Sequence, residues 1–223
     1  MRRGTTIALA VAPNPVGAKH LLDAVAAGKA SARLLQERAV QARLNESRLP
    51  MAAERVAELT KGLPSAEQKM LELMNQRRFG FGKAKPDLKL GAAVFKTHCA
   101  NCHQLGGEGS KIGPQLDGVG VRGLDRLLED ILDPSRNVDQ AMRTTVLNLK
   151  DGKSVSGLLI REEGEVFVLA DAQGKDVRVT KNDVDDRRTS LLSPMPANLA
   201  DAIKETDFYH LLAFLLEQRP KEK

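Results

Sequence analysis

The chain has 223 residues, of which 42% are hydrophobic and 28% charged, and its formal net charge is +5. This length suits one or two domains with packed cores. The positive charge is unevenly placed, because residues 1–88 hold 15 Lys and Arg against eight Asp and Glu, whereas residues 89–223 hold 19 against 21. A basic half beside an acidic half favours two domains. The basic residues form no cluster with a recognisable nucleic-acid-binding motif, so we expect no nucleic-acid partner.

The N-terminus has only a weak likeness to a secretory signal. Its apolar run, Ile7–Ala12, is short for a signal peptide, and Pro13 follows at once. We interpret this stretch as the last helix of a truncated repeat, and the chain as the C-terminal piece of a longer protein. No apolar run approaches the length of a membrane-spanning helix, so we expect no membrane span.

Apolar residues recur at helical spacing throughout residues 1–80, which predicts a wholly helical domain. The predicted helices cover residues 16–27, 30–46, 51–61 and 65–77. Breaks at Pro50 and at Gly62-Leu63-Pro64 separate short helices, which are typical of the end of an α-solenoid or of a small bundle. No cluster of titratable residues occurs there, so we interpret the domain as a scaffold.

A second domain is predicted over residues 89–220, after a Gly-, Lys- and Pro-rich linker at 81–88. In its first helix Gly91 and Phe95 are four residues apart and share one face. A glycine on that face would let another helix cross closely. We expect the partner to be the last helix, at about 205–218, which carries an apolar stripe.

The only two cysteines of the chain occur in the string Cys99-Ala100-Asn101-Cys102-His103. This spacing is the attachment signature of c-type haem, in which two thioethers hold the porphyrin and His103 is the proximal axial ligand. A thioredoxin-like pair has no use for the histidine, and a structural zinc site needs four ligands, usually supplied by a second pair. The motif therefore predicts one covalently bound haem c.

Between residues 143 and 180 the periodicity changes from helical to alternating. The predicted strands cover residues 144–149, 153–161, 166–170 and 176–180. Asp151-Gly152 between two of these runs is a strong hairpin signal. We therefore predict a small antiparallel β-meander of three or four strands, inserted in an otherwise helical domain.

The second axial ligand of the iron is predicted to be Met195. It lies between Pro194 and Pro196, and each proline fixes its own backbone and discourages helix in the residue before it. A thioether on so stiff a segment loses little freedom when it binds iron. Met142 is the competing candidate, but it lacks this rigid frame.

Gly113 and Pro114 follow a glycine-rich stretch after the motif, and we expect this loop to wrap the proximal edge of the haem. A backbone carbonyl near Pro114 is expected to accept a hydrogen bond from the His103 ring and to fix its orientation. We expect His98 to lie on the surface and His210 to be structural or exposed rather than a ligand.

The run Gly91-x3-Phe95-x3-Cys99-x2-Cys102-His103, followed by Gly113-Pro114, Met195-Pro196 and a C-terminal helix, resembles cytochrome c with His and Met ligation. Small cytochromes of this kind have a shorter path from histidine to methionine, whereas here Met195 lies 92 residues after His103. The resemblance implies a mainly α cytochrome c fold, and the inserted meander accounts for much of the excess length.

The order of the haem motif, Asp133-Pro134-Ser135, the hairpin at Asp151-Gly152-Lys153 and Ser193-Pro194-Met195-Pro196 resembles a more specific domain. That domain is found at the C-terminus of large secreted bacterial proteins, where it follows a sugar-dehydrogenase-like β-propeller and HEAT-like helices. The resemblance implies a HEAT-like character for residues 1–80, a fused dehydrogenase or other redox protein as partner, and a periplasmic or otherwise extracytoplasmic location.

These features together predict electron transfer through a six-coordinate haem iron, and no catalysis by this domain itself. One rival hypothesis is a haem enzyme or ligand sensor with a labile bond from Met195. The other is an interaction module in which the helical half binds partners and the cysteines carry no haem. The meander is interpreted either as a docking surface or as a lid that shields the haem from water, and we favour the lid.

Overall fold

The computed structural model describes residues 2–219, and it describes Arg2 and Arg3 by their backbone only. The chain divides into two compact units between Leu71 and Glu72. Pro220, the predicted last residue of the second domain, lies outside the described residues.

The first unit is helical, as predicted. Its elements are α1 (Arg2–Val11), α2 (Pro15–Ala26), a 3-10 helix (Ala32–Gln36), α3 (Arg38–Glu46), α4 (Ala52–Leu59) and the start of α5 (Ala66–Lys83). The predicted helix over 30–46 is interrupted, because Ser31 caps the 3-10 helix and Glu37 is extended. Leu22, Leu35 and Leu44 lie at the centre of the core of this unit. Its HEAT-like character remains a prediction.

Helix α5 runs into the segment that the sequence predicts as a linker. The helix continues to Lys83, and the division between units falls inside it rather than at residues 81–88. Its second half packs on the last helix of the second unit, where buried Arg77 forms an ion pair with Glu205 and lies over the ring of Phe208. Gly80 is needed for this packing, since a Cβ there would lie 1.8 Å from the Tyr209 hydroxyl.

The second unit combines helices with a five-stranded sheet. Its remaining helices are α6 (Leu88–His98), α7 (Gly123–Leu132), α8 (Leu199–Ala202) and α9 (Glu205–Leu216). Its strands are β1 (Gln104–Leu105), β2 (Glu108–Gly109), β3 (Thr145–Leu149), β4 (Ser154–Glu163), β5 (Val166–Ala170), β6 (Asp176–Thr180) and β7 (Val184–Thr189). Asp87 caps α6, because its carboxylate accepts from the backbone N–H groups of Lys89 and Leu90.

The predicted close crossing of two helices is confirmed. At Gly91 of α6 an added Cβ would lie 2.2 Å from the His210 carbonyl oxygen of α9 and 2.6 Å from the Phe214 Cβ. One turn along, the rings of Phe95 and Phe214 are 5.9 Å apart. The contact of these two aromatic rings stabilises the packing of α6 on α9, the first and last helices of the predicted domain.

The inserted sheet is larger than predicted. All four predicted strands are present, but the antiparallel sheet has five strands in the order β6-β5-β4-β3-β7 and extends to Thr189 instead of 180. The prediction from sequence missed β7 because the Asp-Asp-Arg-Arg run in the middle of this strand is typical of a polar loop. The strand lies at the edge of the sheet, where Arg187 pairs with Glu162 and covers the ring of Phe167.

No helix within residues 2–219 has both the length and the apolar character needed to cross a membrane.

Candidate functional site

The two cysteines and His103 lie on one tight turn at the end of α6. Cys99 follows the last residue of the helix, and its N–H still donates to the Phe95 carbonyl at 2.8 Å. The N–H groups of Cys102 and His103 both donate to the Cys99 carbonyl, at 3.1 and 2.9 Å. The five-residue string thus closes on itself, which brings its three functional side chains together.

The loop after the motif folds back on this turn. The N–H groups of Ile112 and Gly113 both donate to the Cys102 carbonyl, at 3.1 and 2.7 Å. Gly109 has a φ of +95°, and a Cβ there would lie 2.3 Å from the His103 carbonyl oxygen. Only glycine therefore fits where the loop passes so close to the backbone of His103. The loop therefore lies against the histidine, as the sequence predicts for a segment that wraps one edge of a haem.

The His103 ring is held in one tautomer. Its Nδ1 lies 2.8 Å from the Pro114 carbonyl oxygen, as predicted. A carbonyl oxygen can only accept, so Nδ1 must carry the proton and donate it. In the neutral ring this leaves Nε2 as the nitrogen without a proton, the form in which an imidazole binds a metal ion.

Gly113 sets the position of the same ring. A Cβ at this residue would lie 2.7 Å from Cε1 of His103 and 3.0 Å from Nδ1. The absence of a side chain lets the loop lie flat against the imidazole. Gly113 and Pro114 therefore act together, one by making room for the ring and the other by accepting a hydrogen bond from its Nδ1–H group.

Both cysteines are free thiols and half-buried. Burial, with a smaller effect of Cys102, raises the pKa of Cys99 to about 12. Burial also raises the pKa of Cys102, and the nearby carboxylate of Asp171 raises it further. The environment of both sulfur atoms thus favours an uncharged group, which a thioether satisfies at any pH.

The Met195 segment is fastened at several points. The N–H of Met195 donates to the Ser193 hydroxyl, and the N–H of Ser193 donates to the hydroxyl of Ser135, both at 3.1 Å. Pro194 and Pro196 add their own backbone restraint. The half-buried thioether is therefore carried on an ordered loop, in agreement with the rigid frame that the sequence predicts.

All six predicted site residues line one cavity of about 710 Å³, and they are Cys99, Cys102, His103, Gly113, Pro114 and Met195. This volume lies within the usual range for cofactor sites, roughly 300–1,000 Å³. The walls present two thiols and an imidazole with a free Nε2, together with apolar groups such as Leu127 and Ile131. The residues present fit a covalently attached haem.

The sequence reasoning missed several groups on the cavity wall. They are contributed by α7 and its approach (Arg122, Arg126, Glu129, Asp130), by the segment before the sheet (Asn137, Val138, Asp139) and by the sheet (Leu158, Ala170, Asp171). The competing methionine, Met142, is also on the wall. None of these residues belongs to a local motif, and only the fold brings them to the site.

The turn between β5 and β6 reaches the haem motif directly. At Gly174, where φ is +77°, a Cβ would lie 2.5 Å from the Asn101 carbonyl oxygen and 3.2 Å from Cδ1 of Ile112. The Asp171 carboxylate shapes the turn by accepting from the N–H groups of Gln173 and Lys175. The inserted sheet is thus part of the wall of the cavity.

The two other histidines of this unit have different surroundings. His210 accepts a hydrogen bond through Nδ1 from the N–H of Asp87 at 2.8 Å, which joins α9 to the start of α6 and supports its predicted structural role. His98 is exposed at the end of α6, as predicted, although it also touches the rim of the cavity.

Comparison with known proteins gives a match over the same region. Residues 88–163, from the start of α6 to the end of β4, match the family model described as cytochrome c. Cytochrome c of Stellaria longipes is 59% identical over 39 residues, which are 17% of this chain and 36% of that protein. Cytochrome c of Cochliobolus lunatus is 56% identical over 39 residues, with the same two shares.

Cytochrome c of Arabidopsis thaliana is 62% identical over 34 residues, 15% of this chain and 30% of that protein. The chain thus spans about a third of the length of the curated relatives it matches. Cytochromes c carry covalently bound c-type haem, and the single Cys-x-x-Cys-His motif is consistent with one haem. The second unit of this chain contains a cytochrome c-like haem-binding domain.

Proposed function

We propose that this domain transfers single electrons through one covalently bound haem, with His103 as proximal and Met195 as distal ligand of the iron. The observation that carries this proposal is the common cavity, which brings the haem motif and a methionine 92 residues away onto the walls of one site. Bound haem supplies the redox chemistry, since its iron cycles between the ferric and ferrous states.

The protein residues hold and orient the group. Cys99 and Cys102 form the two thioethers that tether it, and the Pro114 carbonyl keeps the Nε2 of His103 free to bind iron. Met195 fills the remaining axial position with a soft, neutral sulfur on an ordered loop. A filled position leaves no place for a substrate on the metal, which favours electron transfer over catalysis.

Charged groups on the wall adjust the redox potential. Six carboxylates line the cavity and only two guanidinium groups, Arg122 and Arg126, which are themselves paired with Asp130 and Glu129. A third guanidinium, that of Arg136, pairs with Glu129 and Asp133. The remaining excess of negative charge would stabilise the oxidised iron and lower the potential, whereas methionine ligation raises it. The two effects act in opposite directions.

The inserted sheet is proposed to act as a lid. Leu158, Ala170 and Ala172 place apolar groups on the cavity wall, and the turn at Gly174 packs on the backbone of the haem motif. Such contacts exclude water from one side of the site. A drier, less polar surrounding raises the potential of the iron.

The partner is proposed to be a redox protein or a dehydrogenase domain of the same polypeptide, with the HEAT-like residues 1–80 as spacer. Haem is attached to c-type cytochromes outside the cytoplasm, so we propose a periplasmic or otherwise extracytoplasmic location. The proposed partner rests on the resemblance to secreted bacterial proteins.

Optical redox titration of the full chain, matured with the haem-attachment machinery, tests the proposal. We expect one reversible one-electron transition, low-spin spectra in both states and no binding of carbon monoxide by the ferrous protein, because both axial positions are filled. A high-spin ferric spectrum with rapid carbon monoxide binding would instead support the haem enzyme or sensor and would contradict electron transfer by a six-coordinate iron.

A further inference from the structure

Two methionines, and not one, reach the cavity wall from neighbouring segments. Met142 precedes β3 and Met195 follows β7, and these two strands pair antiparallel. The pairing continues beyond the sheet, because the N–H of Thr144 donates to the Leu192 carbonyl at 2.7 Å and the N–H of Ser190 donates to the Thr144 carbonyl at 2.8 Å. The two methionine-bearing segments therefore leave the same end of the sheet, joined by hydrogen bonds.

Met142 has a rigid frame of its own, contrary to the expectation from sequence. It ends a short 3-10 helix (Gln140–Met142), which Asp139 caps by accepting from the N–H of Ala141 at 2.9 Å. The N–H of Met142 donates to the Asp139 carbonyl at the same distance. Met142 is half-buried, like Met195. Holding either thioether on the iron would thus cost little additional ordering.

The other methionines whose side chains are described lie elsewhere. Met51 and Met70 belong to the first unit, and Met74 is buried in α5 of the second unit. None of these three lines the cavity, whereas Met142 and Met195 both do.

We propose that the thioether of Met142 is an alternative axial ligand, able to bind the iron opposite His103 when Met195 does not. This inference rests on the proposed function, since it needs a haem held through His103. Either sulfur is neutral and soft, so exchange of one for the other leaves the charge of the site unchanged. The consequence is a site that stays six-coordinate when one methionine is lost.

Four variants of the full haem-containing chain test the proposal: Met195→Leu, Met142→Leu, the double variant, and Met74→Leu as a matched control. Leucine is close to methionine in volume but offers no ligand atom. Two readouts are used, the ferric spin state by electron paramagnetic resonance and the shifted methyl signal of an iron-bound methionine in the ferrous proton NMR spectrum. Circular dichroism confirms that each variant is folded.

The expected result is a low-spin iron with a bound-methionine signal in the control and in both single variants, and loss of that signal with a high-spin iron only in the double variant. A high-spin Met195→Leu protein would overturn the inference while leaving Met195 as the ligand. If Met142→Leu alone lost the signal, both the inference and the Met195 assignment would fail. A low-spin double variant would mean that a ligand other than these sulfurs is used, which also overturns it.

Discussion

Replacing Gly91 with alanine is expected to destabilise the haem-binding domain by about 3 kcal/mol or more, in the upper part of the range for overpacked cores. The added Cβ would meet the His210 carbonyl oxygen at 2.2 Å and the Phe214 Cβ at 2.6 Å. The first of these is backbone, which cannot rotate away, so α6 and α9 must move apart. Urea unfolding of the full chain, followed by circular dichroism, measures the change in the free energy of unfolding.

Gly82→Ala is the matched control for this prediction. Gly82 also lies in a helix, but a Cβ there would meet no atom within 4 Å. Alanine at this position is expected to leave stability unchanged or to raise it by up to about 1 kcal/mol, through helix propensity. Equal stability of the Gly91→Ala and Gly82→Ala proteins would show that the two helices do not cross at Gly91.

Replacing Gly113 with alanine is expected to damage the iron site without removing the haem. The new Cβ would lie 2.7 Å from Cε1 of His103, so the ring must turn and its hydrogen bond to the Pro114 carbonyl must lengthen. We expect a large high-spin fraction in the ferric optical spectrum, because the bond from Nε2 to the iron weakens. Covalent haem content should stay the same, since both cysteines remain.

Lys111→Ala, an exposed position in the same loop, is the control for the Gly113 experiment. Its spectrum should match that of the unmodified protein. An unchanged low-spin spectrum in the Gly113→Ala protein would mean that the ring of His103 does not lie against this glycine in the haem-containing state.

The structure agrees with the predictions from sequence where the geometry is local. A single turn holds Cys99 and Cys102 at their spacing, and the contact of His103 with the Pro114 carbonyl follows from a loop of a few residues. Gly91 and Phe95 could be recognised because a helix places residues four apart on one face. Each of these inferences needed only the geometry of one element.

Inference from sequence failed where distant segments decide the outcome. Strand β7 is polar and exists because β3 offers it a partner, so its own residues carry a weak signal. Gly80 and Gly82 indicate a linker, yet α5 stays helical to Lys83, and its Gly80 lies close against Tyr209 of α9. Local propensity was overridden by tertiary packing in both cases.

The frame of Met142 was missed for the same reason. A proline on each side of Met195 is visible in the sequence, whereas the hydrogen bonds that hold the Met142 segment come from Asp139 and, two residues on, from the pairing of Thr144 with Leu192. The contribution of the inserted sheet to the cavity likewise depends on the contact of Gly174 with Asn101. Contacts of this kind become visible only in the folded chain.

Covalent attachment of one haem at Cys99 and Cys102 is the claim on which the whole account depends. The most direct measurement is the intact mass of the full chain after maturation, together with its pyridine haemochrome spectrum under denaturing conditions. We predict a mass increase of one haem and a spectrum of the two-thioether type, both absent from the Cys99→Ala/Cys102→Ala protein. A matured chain with the mass of the polypeptide alone would contradict the account.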